Sequence, residues 1–171
     1  VCIPAGDEDH IGCIPDVLQC SDLQTALTTV YLDVYYRLSD EYRNIKTVFT
    51  IQNMEFQGKY GTELLADVMG LPEWAHSLVL NDGCVNYMKG GIESAAAVTT
   101  VSETYATEIL DPFYSYGLDG ILSERRYKLH GVINGIDTAV YDPAKDGGAV
   151  QHQPLRSAGQ RKHKHKGQDE R

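Results

Sequence analysis

Lys46-Thr47-Val48-Phe49-Thr50-Ile51 is the strongest strand signal in this chain, a run of β-branched and aromatic residues closed by the polar pair Gln52-Asn53. On its amino-terminal side, Leu23, Ala26, Leu27, Val30, Tyr31, Val34, Tyr35 and Leu38 recur at i, i+3, i+4, i+7 spacing, the signature of an amphipathic helix. Ser21 and Gln24 stand at capping-box separation at its start. Before that helix, Pro15–Cys20 reads as a buried strand. On the other side, Thr62–Met69 reads as helix ending at Gly70 and Pro72. Val85, Met88, Ile92, Ala95 and Ala96 mark a further helix, interrupted by Gly90-Gly91. Ala97–Val101 reads as the third strand, Glu103–Leu110 as a helix stopping before Pro112, Leu118–Arg125 as a short helix, and Leu129–Ile133 as the fourth strand. Strands alternating with helices predict parallel pairing through right-handed crossovers. The expected fold class is α/β, a parallel sheet with helices flanking both faces.

Composition agrees. With 171 residues, 42% apolar and 23% charged, the chain is sized for one globular domain or one lobe of a larger body. No run of apolar residues is long enough for a membrane span, and no basic segment followed by an apolar one opens the chain, so neither span nor secretory signal is expected. Charge is unevenly placed. Residues 1–150 hold nine Lys/Arg against 22 Asp/Glu, a net −13, whereas residues 151–171 hold six against two, a net +4. The acidic body would repel a phosphate backbone, so nucleic acid is not an expected partner.

Residues 1–14 show no period and read as an irregular segment, with residues 15–146 as the folded body. The basic tail, residues 147–171, has a cationic cluster from Arg161 to Lys166 and reads as disordered; a nucleic-acid or membrane-surface tail is the lesser alternative. Loss of patterning after Asp146 also fits a reading-frame change or a truncated gene. Cys2, Cys13, Cys20 and Cys84 form no C-x-x-C pair, and free thiols in a reducing cytoplasm are expected ahead of a zinc site using Cys13 and His10. No metal and no cofactor is expected.

In a parallel α/β sheet, ligands gather beyond the carboxyl ends of the strands. Here those ends carry Ser21-Asp22, Gln52-Asn53, Ser102-Glu103 and Asn134-Gly135-Ile136-Asp137. Parallel pairing would bring all four groups to one edge. Each has a plainer explanation: Ser21, Asp22 and Ser102 suit helix caps, and Asn134-Gly135 suits a turn with a left-handed residue. Gln52-Asn53 precedes no evident helix and is harder to dismiss. Gly90-Gly91 fits neither G-x-G-x-x-G nor a P-loop and is better read as close helix packing, with Lys89 as a solvated or snorkelling side chain. Tyr105, Tyr114, Tyr116 and Tyr127 read as core and rim, although aromatic platforms would also suit a sugar cleft. No G-x-S-x-G elbow and no Cys–His pair stands out.

The strings TVFTIQNMEFQGKYG (Thr47–Gly61), NDGCVNYMKGGIESAAAVTTVSETYATEI (Asn81–Ile109), YGLDGIL (Tyr116–Leu122) and GVINGIDTAVYDPAKD (Gly131–Asp146) resemble bacterial glycogen synthases and plant starch synthases. PDVLQCSDLQTAL (Pro15–Leu27) resembles a strand-and-helix segment of the same family, and the likeness runs from about His10 to Asp146 in the family's order. The resemblance implies part of the N-terminal, acceptor-side lobe of a GT-B glycosyltransferase, a partial Rossmann-like sheet. It also implies a parent enzyme that transfers glucose from ADP-glucose to the non-reducing 4-hydroxyl of an α-1,4-glucan with retention.

By matched position, Asn53 and Asn134 are implied to face the donor sugar or its phosphates, Asp22 to support activity, and Gln57 and Gly58 to shape the cleft as substrate-binding positions. Gln52 stands where the family has a histidine against the transferring glucose. Gln19 and Leu23 replace the usual histidine and tryptophan around Asp22. Glutamine can bond a sugar hydroxyl but carries no imidazole charge. The family's Lys-x-Gly-Gly-Leu loop and donor lobe have no counterpart in this sequence, so little or no transferase activity is expected of the chain alone, together with an exposed sheet edge. The alternatives are a non-catalytic piece that at most binds glucan weakly and, further off, a nucleotide-dependent oxidoreductase.

Overall fold

The computed structural model describes residues 14–142. The chain divides into two compact units, Val1–Asn134 and Gly135–Arg171. The expected irregular segment 1–14 lies outside the described residues except for Ile14, as do the tail 147–171, Cys2 and the zinc candidates His10 and Cys13. Of the second unit, residues 135–142 are described: Asp137 Oδ1 accepts from the amides of Ala139 (2.9 Å) and Val140 (3.1 Å) to make a local turn.

The first unit is built on a four-stranded parallel sheet, β1 (Val17–Ser21), β2 (Lys46–Ile51), β6 (Ala97–Thr100) and β7 (Leu129–Gly131), in that spatial order. Ser21 pairs with Thr50, Ile51 with Thr100, and Thr100 with Gly131, which aligns the four carboxyl ends. The helices are α1 (Asp22–Tyr31), α2 (Leu64–Asp67), α3 (His76–Val79), α4 (Tyr87–Ser94), α5 (Glu103–Glu108), α6 (Pro112–Ser115) and α7 (Asp119–Glu124). β2 falls where its sequence places it.

Several expectations need correction. Among the described residues of this unit, the helices flank one face of the sheet and not both. Each strand lies beyond the last in sequence order, and right-handed crossovers that keep advancing in one direction put every helix on one side. That side holds Cys20, Phe49, Ile51 and Val98 packed with Ala26, Met88, Ile92, Ile109, Leu118 and Leu122. Val17, Gln19, Lys46 and His130 project from the other side and are exposed. β1 and β7 are the two edges of this sheet among the described residues.

The pattern that suggested a helix to Leu38 ends earlier as α-helix and continues as a π-helical turn, Leu32–Tyr36. Tyr31 and Tyr35 both donate their hydroxyls to the 69–70 backbone, to Met69 O (3.1 Å) and to Gly70 O. The supposed capping box is absent too. Ser21 offers no side-chain cap; its amide and carbonyl are both engaged by the Thr25 hydroxyl.

A second, antiparallel sheet of β3 (Lys59–Tyr60), β5 (Cys84–Asn86) and β4 (Leu80–Asn81) was not expected, since strands this short show no period. Asp82-Gly83 turns between β4 and β5 with φ of 48° and 74°, and that Asp-Gly pair was the readable hairpin signal.

Helix α4 runs unbroken through Gly90-Gly91. An added Cβ would lie 2.8 Å from Val79 Cγ1 at Gly90, and 2.6 Å from the Phe49 ring at Gly91. The glycines let α4 close onto the sheet and the second core, which joins Val30, Val34, Leu65, Val79 and Val85. Lys89 is neither snorkelling nor simply solvated: its ammonium donates to the carbonyls of Ser77 (2.8 Å), within α3, and Leu80 (2.5 Å), just after it.

Lys128 is buried just before β7, and its ammonium donates to Glu93 O (3.0 Å) and Ala95 O (2.7 Å) at the carboxyl end of α4. Burial pushes its pKa below the ordinary lysine value, with the Glu93 carboxylate opposing and Arg125 reinforcing the shift. The unfolded chain therefore binds more protons between the depressed folded pKa and 10.5, and Lys128 contributes more stability as pH rises through that window. In urea melts, the stability difference favouring wild type over Lys128→Met is expected to grow from neutral pH toward 10.5. A difference that shrinks over that range would contradict a desolvated ammonium.

Candidate functional site

Asp22 opens α1 directly beyond β1, with φ of 48°, a left-handed conformation that aspartate and asparagine tolerate better than other non-glycine residues. This turn aims its carboxylate across the sheet. Oδ1 accepts from the Gln52 amide at 2.8 Å and the Asn53 amide at 3.3 Å, clamping the tip of β2 to the tip of β1. Asn53 Oδ1 accepts from the Glu55 amide at 2.9 Å, an Asx turn that sets the course of the loop and leaves its side-chain amide without a partner among the described residues.

Beyond β7, Asn134 donates from Nδ2 to Gln52 Oε1 over a long 3.4 Å. Asn134-Gly135 is not the left-handed turn considered from sequence: neither residue has positive φ. Asp22, Gln52, Asn53 and Asn134 thus meet at one edge of the parallel sheet. The group after β6, Ser102-Glu103, stands at the same edge between the tips of β2 and β7, but its serine side chain is engaged. Ser102 caps α5, accepting from the Tyr105 amide at 2.9 Å, which is the plainer of its two readings.

Gln57 is placed otherwise than its substrate-binding assignment requires. It is 2% exposed, and its amide is consumed internally: Nε2 donates to Ser115 O (3.2 Å) and Tyr116 O (3.3 Å), while Oε1 accepts from Asn86 Nδ2 at 2.7 Å. Buried carboxamides with matched partners rigidify what they join. Gln57 is a brace under the loop. Gly58 has φ of +67°, and an added Cβ would come within 3.2 Å of Leu23 Cβ and Tyr87 Cβ, so glycine alone lets the loop pass between α1 and α4.

Asn86 was missed from sequence. It is fully buried, caps α4 by accepting from the Lys89 amide at 3.0 Å, and holds Gln57; only its place before a helical run could have flagged it. Tyr105 supports the same loop by accepting from the Met54 amide at 3.3 Å.

Asp22, Gln52, Asn53 and Asn134 offer three carboxamides and one carboxylate, groups that hydrogen-bond hydroxyls. None of the four strand ends supplies a lysine or arginine. Charge on a departing phosphate would have to be met by groups from elsewhere. No group of three His, Cys, Asp or Glu side chains among the described residues is arranged to hold a metal. The described cysteines, Cys20 and Cys84, are free thiols, and burial pushes the Cys20 thiol up. No helix among the described residues is long and apolar enough to cross a membrane.

A family profile described as the starch synthase catalytic domain matches residues 5–124. The glycogen synthase of Alkaliphilus metalliredigens is 46% identical over 139 residues, covering 80% of this chain and 29% of that protein. The glycogen synthase of Lactiplantibacillus plantarum is 46% identical over 140 residues, covering 81% and 29%. The catalytic domain of starch synthase IV from Arabidopsis thaliana, solved with ADP and acarbose bound, superposes with a TM-score of 0.67 at 32% identity, over 78% of this chain and 28% of that one. The chain therefore spans under a third of the length of the relatives it matches.

Proposed function

This chain belongs to the starch synthase catalytic-domain family, and from that membership we propose that it forms part of the acceptor-side lobe of a retaining glucosyltransferase. The enzyme moves glucose from ADP-glucose to the non-reducing end of an α-1,4-glucan. The observation that carries this reading is the meeting of Asp22, Gln52, Asn53 and Asn134 at one sheet edge. Asn53 and Asn134 hydrogen-bond the donor sugar or its phosphates, Gln52 lies against the transferring glucose, and Asp22 fixes the β2 tip on which both Gln52 and Asn53 sit. Gln57 and Gly58 shape the adjoining loop. Cations for the leaving diphosphate come from a second lobe, so the chain by itself transfers little or no glucose. The acidic body fits neutral glucan and disfavours nucleic acid. Free thiols at Cys20 and Cys84 suit a cytoplasmic setting.

The test is a chimera in which residues 14–134 replace the matching segment of the A. metalliredigens enzyme. It is expected to incorporate glucose from ADP-glucose into glycogen, while the 171-residue chain alone stays at background. A folded but inert chimera would favour the non-catalytic reading. Within the chimera, Gln52→His is expected to raise kcat about tenfold, because a hydrogen bond from a charged group outweighs a neutral one by roughly 1–1.5 kcal/mol. An unchanged or lower kcat would remove Gln52 from the transferring glucose.

A further inference from the structure

Tyr116 ends α6 in the left-handed conformation, with φ of 52° and its residue 52% exposed. That position is one where glycine is the ordinary choice, and a bulky side chain there costs stability. The ring belongs to neither hydrophobic core of the described residues and is half exposed, so packing recovers the cost only in part. Strain kept at an exposed side chain points to a role outside folding.

The backbone beneath the ring accepts two long hydrogen bonds. Tyr116 O accepts from Gln57 Nε2 at 3.3 Å and from Lys59 Nζ at 3.4 Å, and Asn86 grips Gln57 from behind at 2.7 Å. The segment that provides this mount carries two more exposed rings, Phe56 at 58% and Tyr60 at 43%, the latter 4.9 Å from the Tyr87 ring centroid. It continues directly from Gln52-Asn53, so the mount and the candidate site share one loop.

We propose that Tyr116 is a stacking platform for a linear α-glucan chain, with Phe56 and Tyr60 on the adjoining segment extending the contact. A rigid tyrosine offers a large contact area at low entropic cost, plus a hydroxyl for polar partners. The net charge of −13 over residues 1–150 selects against anionic ligands and is compatible with a neutral polyhydroxylated one. The identity of the ligand rests on the proposed function; the strained, braced ring does not.

Electrophoresis of the 171-residue chain through gels with and without glycogen tests it. The wild-type chain is expected to be retarded by glycogen and released by added maltoheptaose. Tyr116→Phe should retain most of the retardation. Tyr116→Gly should lose at least five-sixths of it while unfolding at the same or a higher temperature, since glycine relieves the left-handed cap. Loss of binding without loss of stability separates a platform from a structural residue. A wild-type chain that runs unretarded, or a Tyr116→Gly chain retarded like wild type, overturns the proposal. Transfer by the chimera is a separate readout: retardation with an inert chimera would sink the enzymatic reading and leave the platform standing.

Discussion

In the chimeric enzyme, Asp22→Ala is expected to lower glucosyl transfer about a hundredfold, whereas Asp22→Asn lowers it tenfold or less. The carboxylate holds two backbone amides of the neighbouring strand tip, at 2.8 and 3.3 Å, and bonds to a charged acceptor contribute roughly 1.5–3 kcal/mol each. Alanine removes that acceptor and also tolerates φ of 48° poorly, at a cost of about 1 kcal/mol or more. Without the clamp, Gln52 and Asn53 are free to shift, and displacement by about 1 Å is enough to cost two orders of magnitude in a reaction that depends on alignment. Asparagine keeps an oxygen in place and accepts the left-handed backbone. Asp22→Gly separates the two effects: it relieves the backbone but not the lost clamp. It should match alanine in kcat/KM while melting closer to wild type. Should glycine retain transfer, the carboxylate has no positioning role.

Gly131→Ala is expected to destabilise the chain by about 3 kcal/mol, a large share of the stability of a domain this size. The reason is backbone, not side chain. A Cβ at Gly131 would stand 2.3 Å from Glu103 N and Cα and 2.4 Å from Ser102 C. These atoms cannot swing aside, because Ser102 caps α5 and fixes its first turn. Relief would require β7 to back away, straining its pairing with Thr100 and the 2.7 Å bond from Val132 N to Thr100 O, and drawing Asn134 away from Gln52. Gly120→Ala is the control: nothing lies within 4 Å of its Cβ, and within α7 alanine should add up to about 1 kcal/mol. Urea denaturation of both variants checks the pair. Similar midpoints would mean that β7 and α5 do not approach as closely as described.

The elements that were legible in sequence are those whose pattern is local. Lys46–Ile51 announces itself by composition and is closed by a polar pair, and the alternation around it fixes parallel pairing and hence the edge where Asp22, Gln52, Asn53 and Asn134 gather. What escaped was set by contacts distant in the chain. Gln57 looks like a loop glutamine free to meet a ligand; Asn86, 29 positions on, and the 115–116 carbonyls, 58 and 59 positions on, turn it into a buried brace. Tyr116 has no sequence mark of its left-handed backbone. The π-helical turn after α1 and the three-stranded antiparallel sheet leave no period long enough to read.

Parallel pairing, the acidic character of the body, and the polar residues that close each strand were readable from the chain alone, because hydrophobic period and charge are properties of sequence neighbours; the spatial order of the strands was not. Only the tertiary structure decided which of those residues remain available to a ligand. A hydrogen-bonding group can be spent on a helix cap, as Ser102 is, on a buried brace, as Gln57 is, or on a strand-to-strand clamp, as Asp22 is. That choice is made by whatever donors and acceptors packing brings within about 3 Å.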